Sequence, residues 1–122
     1  MRLKSLGAIV ALAISASAQA MPVDVFLTKS AALQAQGFTA MFSSDVKLLT
    51  NAMKADAAAL KAERDAAKLA GRAPAYCPPA ALKMSSNEII EAMRTVPVPA
   101  RAMTDSRDVL RAYFARRFPC AA

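Results

Sequence analysis

Histidine is absent from this chain of 122 residues. That absence removes the commonest general base, the serine–histidine and cysteine–histidine arrangements, and most zinc sites. Tryptophan is absent too, and two tyrosines and five phenylalanines are the only aromatics. β-Branched residues are sparse. A core must therefore come from Leu, Met, Ala and a few Phe, a palette that favours helix over sheet. Three glycines are too few for a phosphate-cradling loop. Ser43, Ser44 and Ser86 have no activating base in view. Of the nine carboxylates, most read as caps or solvated helix charges, and Asp105 with Asp108 reads as compensation of a helix dipole. The expectation is a protein that is not an enzyme, with no metal and no cofactor.

Cysteine is scarce as well, but the two present, Cys77 and Cys120, are informative in context. Residues 1–20 read as a cleavable secretory signal. Arg2 and Lys4 form its charged start, Leu6 to Ile14 its apolar run, and Ala18-Gln19-Ala20 its cleavage site. The run is too short to span a bilayer and lacks interfacial aromatics, so stable membrane insertion is not expected. What remains, residues 21–122, is about 100 residues, the size of one small domain. It is expected in the periplasm or another exported, oxidising compartment, where a lone pair of cysteines should join. Redox-active cysteines usually stand close together as Cys-x-x-Cys, so a structural role is expected here. A Cys77–Cys120 bond would close a loop of roughly 44 residues, worth about 4 kcal/mol on the chain-entropy estimate.

Helical signals follow in order. Asp24 is placed to cap a first helix over about 25–36, with Gly37 at its end. Phe38 to Phe42 is a short apolar connection. Ser43 or Ser44 then caps the longest element, over 45–70, which has no proline or glycine and stops at Gly71. Its apolar positions Val46, Leu49, Met53, Leu60 and Ala67 recur at helical spacing. Residues 71–83 form a loop stiffened by Pro78 and Pro79. Ser85-Ser86-Asn87-Glu88 matches a capping box and opens a short helix that buries Ile89, Ile90 and Met93. Val96 to Pro99 reads as an extended connector. A last helix starts near Thr104 or Asp105, with Val109, Leu110, Tyr113 and Phe114 inward. The predicted fold is all-α: a small four-helix domain with one long central helix, closed by a single disulfide.

Net charge is +7, and about +5 once Arg2 and Lys4 leave with the signal. Export argues against nucleic acid as the partner, and an acidic protein or an anionic envelope surface is the better match. The candidate contacts are Arg101, Arg107 and Arg111 around the last helix, with Arg72 and Tyr76 on the disulfide-held loop. Their bland alternative is solvated surface charge. On either reading, Arg107→Glu with Arg111→Glu should leave the fold intact.

The segments Ala75-Tyr76-Cys77-Pro78-Pro79 and Ala115-Arg116-Arg117-Phe118-Pro119-Cys120 carry a resemblance. A Cys-Pro-Pro segment after a long helix, then a capped short helix, then a helix ending in Phe-Pro-Cys resembles the Rap/Tai-type periplasmic immunity proteins of type VI secretion. The chain is similar more loosely to acid-stress chaperones of the HdeA type. The first resemblance, over about residues 71–120, implies a helical fold with a disulfide and a function of binding. Such a protein would plug the active site of a secreted amidase-type effector that degrades peptidoglycan, using a rigid segment such as 72–79 or 96–103. The alternatives are a stress or holdase chaperone and an envelope accessory protein held on anionic surfaces.

Overall fold

The computed structural model describes residues 20–121. All but the last residue of the expected signal lies outside them. Among these residues four α-helices follow one another: α1 (Val23–Gln36), α2 (Ser44–Leu69), α3 (Ser86–Arg94) and α4 (Ser106–Arg117). Two 3₁₀ segments, Gly37–Phe42 and Val98–Met103, join α1 to α2 and α3 to α4. Among the described residues the only β-type pairing is an isolated bridge between Pro22 and Asp105. The expected all-α fold, its long central helix and its Cys77–Cys120 disulfide are all present.

α1 begins earlier than its sequence suggests. The residue before it is Pro22, and Asp24 lies inside the first turn, accepting a hydrogen bond from the Val25 amide at 2.8 Å. Tertiary pairing does the work expected of a side-chain cap. The Val23 amide donates to Thr104 O at 2.9 Å, and the Ser106 amide donates to Met21 O at 2.8 Å. Helix-start amides need partners from somewhere, and here the chain just before α4 supplies one. At the other end Gly37 takes φ +59°, a backbone region that L-residues avoid.

α2 runs 26 residues, about 39 Å of helix. Ser43 Oγ accepts from the Asp45 amide at 3.2 Å, and Asp45 in turn pairs with Lys29 of α1 at 3.2 Å. Ser85 caps α3 as expected, accepting from the Glu88 amide at 3.2 Å. The Glu88 carboxylate faces Arg117, 3.8 Å away. The connector 96–99 is not extended beyond Pro97, because Val98–Met103 coils into 3₁₀ turns. Arg101 draws it back: its Nε donates to Val96 O at 2.9 Å and its Nη2 to Arg94 O at 3.1 Å. Carbonyls at the end of α3 are thereby satisfied by a cation, the charge that a helix C-terminus favours.

The core sits where all four helices meet. Phe26 of α1, Leu49 and Leu60 of α2, Ile90 and Met93 of α3, and Leu110 and Phe114 of α4 are buried together. The loop after α2 adds Tyr76, whose ring centroid lies 5.6 Å from that of Phe114. Next to Tyr76, Cys77 bonds to Cys120 with their Cα atoms 4.9 Å apart, and the Cys77 amide donates to Phe118 O at 2.8 Å. The disulfide thus holds the Tyr76 loop against the end of α4.

Candidate functional site

α2 turns two acids toward α4. Leu49, Met53, Asp56, Leu60 and Glu63 recur every three or four residues, so Asp56 and Glu63 share the stripe of the leucines. Asp56 is 1% exposed. Ser106 Oγ donates to its Oδ2 at 2.6 Å, and Arg107 Nε lies 3.3 Å from its Oδ1. Burial pushes the Asp56 carboxyl above its ordinary value, against the pull of Ser106 and Arg107.

One turn further along α4, Arg111 grips Glu63 with both arms. Its Nε donates to Oε2 at 3.0 Å and its Nη2 to Oε1 at 2.7 Å, while Nη1 donates to Asp108 of its own helix. The fork holds the Glu63 carboxyl below its usual range. Arg107 and Arg111 therefore face carboxylates of α2 within the same chain. Arginine's bidentate geometry suits this internal role as well as an external one.

The other sequence candidates scatter. Arg101 is occupied with the end of α3, as described above. Tyr76 is 1% exposed, with Arg64 stacked 5.1 Å from its ring centroid and donating to its hydroxyl at 3.2 Å. It is a core residue with a satisfied polar tip. Arg72 alone of the five remains exposed and outside any ion pair among the described residues. The five do not converge on one site.

Two other features stand out. The 3₁₀ segment Gly37–Phe42 projects Phe38 and Phe42, each 91% exposed, and Met41, 75% exposed. In a 3₁₀ turn residues three apart eclipse, so Phe38 and Met41 stand on one side. Between α1, α2 and the start of α3 opens a cleft of about 700 Å³. Phe26 and Leu33 of α1, Val46, Leu49 and Met53 of α2, and Ile89 of α3 wall it, and Leu110 and Phe114 reach its floor. The sequence reads Phe38 to Phe42 as an apolar connection but assigns it no role, and it does not anticipate the cleft. The available signal was three large apolar side chains in a six-residue connection between two helix signals, where small and polar residues are the rule.

Among the described residues no cluster of His, Cys, Asp or Glu is placed to hold a metal ion, and no helix is long and apolar enough to cross a membrane. What the site offers is apolar surface. Comparison with protein-family models, with characterised proteins and with solved structures finds no match.

Proposed function

We propose that this chain is an exported, non-catalytic binding protein of the immunity type, which inhibits a peptidoglycan-degrading amidase in the periplasm. The observation that carries this reading is the exposed tip Phe38–Met41–Phe42. Burying one such side chain in a partner is worth about 1.5–3 kcal/mol, and clusters of aromatic anchors dominate protein interfaces. The tip is presented stiffly, between the Gly37 turn and the Ser43 cap, with Lys29 and Asp45 pinning α1 to α2 behind it. Stiff presentation lowers the ordering cost of association. A disulfide-closed helical scaffold with Cys-Pro-Pro and Phe-Pro-Cys segments adds the support of the resemblance.

The tip replaces the segments 72–79 and 96–103 as the candidate plug, because Tyr76 and Arg101 are engaged internally. The reading in which the α4 arginines dock on anionic surfaces draws less support, since Arg107 and Arg111 already face carboxylates of α2.

The test is a titration of the oxidised protein into a secreted peptidoglycan amidase encoded by the same genome, with release of muropeptide fragments as the readout. Activity is expected to fall to zero near one equivalent, and Phe38→Ser with Phe42→Ser to restore it while helix content stays unchanged. Undiminished amidase activity at excess protein would defeat the reading. Equal inhibition by the double variant would remove the tip from it.

A further inference from the structure

The cleft has a chemistry of its own. Its volume of about 700 Å³ falls within the range of small-molecule sites, about 300–1,000 Å³. Its depth is real, because its floor is made by Leu110 and Phe114, which are buried in the core. Met53 and Met84 line it, and unbranched thioethers adapt to a flexible guest. Among the described residues one charged residue lines it, Lys54. Lys54 is exposed and enters no ion pair among the described residues. Thr50 lies one turn before it on the same helix and lines the same cleft. A mostly apolar trough with one cation, Lys54, the hydroxyls and amides of Ser30, Thr50, Ser86, Gln34 and Asn87, and no acid in its lining among the described residues, is complementary to an amphiphile with one anionic head.

We propose that this cleft binds a fatty-acid carboxylate, its acyl chain lying between α1 and α2 and its head group on Lys54 and Thr50. The chain length sets the affinity, because each methylene removed from water adds roughly fourfold until the cleft is full. The carboxylate sets the orientation, through a charge-assisted hydrogen bond worth about tenfold at a partly desolvated site. The site is separate from the tip, so it stands or falls independently of amidase inhibition.

Isothermal titration of the oxidised protein with octanoate, decanoate and dodecanoate, each below its micelle concentration, tests this. One saturable site per chain is expected, with affinity rising at each step. Lys54→Gln should weaken decanoate by about tenfold and leave 1-decanol unchanged. Leu33→Trp should fill the cleft and abolish both, with the helical spectrum intact, whereas Phe42→Ser should change neither. Absence of saturable binding overturns the proposal, as does decanoate binding that ignores Lys54→Gln. A dimer lost on either Leu33→Trp or Phe42→Ser, without carboxylate binding, would show instead that the cleft receives the tip of a second copy.

Discussion

Ser106 Oγ donates to Asp56 Oδ2 across 2.6 Å, joining residues 50 positions apart with both side chains sealed from water. The bond fastens the middle of α2 to the first turn of α4. The backbone amide of Ser106 donates to Met21 O, so the N-terminal entry to α1 is fastened at the same point. A carboxylate this deep is costly unless fully partnered.

Removing Asp56 should therefore be severe. Asp56→Ala removes the acceptor of the Ser106 hydroxyl and the buried carboxylate facing Arg107, and is expected to cost about 3–5 kcal/mol. Arg107→Glu should cost about 3 kcal/mol or more, because it sets two carboxylates together. This reverses the sequence-based expectation that charge reversal at 107 leaves the fold intact. Urea unfolding with the disulfide kept oxidised measures both, and losses under about 1 kcal/mol would refute the buried-pair description.

Asp56 and Glu63 should shape the pH dependence of stability in opposite senses. The Asp56 carboxyl is raised from its ordinary 3.8 by burial, so the folded state binds that proton more tightly than the unfolded chain. Its contribution is most favourable below 3.8 and is lost as pH rises through the folded value. Glu63 is lowered from 4.5, chiefly by its hydrogen bonds from Arg111. Its contribution is present above 4.5 and is lost as pH falls through the folded value. Relative to the parent, Asp56→Asn should gain stability as pH rises from about 3 to 7, and Glu63→Gln should lose it, by less than about 1 kcal/mol for a half-exposed pair. Parallel trends from the two variants would contradict the assignment.

Two phenylalanines give a controlled contrast. Phe114 is 8% exposed and touches Tyr76, Tyr113 and Phe118. Phe114→Ala should cost about 3–5 kcal/mol. Phe42 is 91% exposed, and Phe42→Ala should change stability by less than about 0.5 kcal/mol. Thermal or urea unfolding of the two variants reads both, and comparable losses would mean that the tip is packed against the domain.

Reduction of the disulfide should lower stability by about 4 kcal/mol, the chain-entropy value for a loop of this size. The loop that carries Tyr76 should loosen first, because the cysteine pair and the Cys77–Phe118 hydrogen bond hold it to α4. Hydrogen exchange at residues 74–80 in oxidised and reduced protein tests this. Equal protection in both forms would show that the Tyr76 ring anchors the loop unaided.

Much of the fold was legible residue by residue. Ser43 and Ser85 cap the helices they precede, Gly37 and Gly71 end the helices they follow, and the lone cysteines pair. The errors have identifiable physics. Asp24 lost the capping role to a chain-crossing pair between residues 21–23 and 104–106, which local rules cannot foresee. The 96–103 connector coiled because Arg101 folded back onto α3. Asp56 was readable in principle, since an acid in the register of Leu49, Met53 and Leu60 must be buried or break the stripe.

What the sequence determined by itself is therefore the four long helical segments, most of their ends and the covalent closure. Each of those depends on atoms within a few residues of one another, or on the redox chemistry of two thiols. Only the tertiary structure decided which charges are spoken for. Arg107 and Arg111 look like a free basic face until α2 is laid against α4 and supplies Asp56 and Glu63. The same packing turned Tyr76 inward, left Phe38 and Phe42 in water, and opened a cleft between α1, α2 and the start of α3. Charge and hydrophobicity are properties of a residue, but whether they are satisfied is a property of what packs against it.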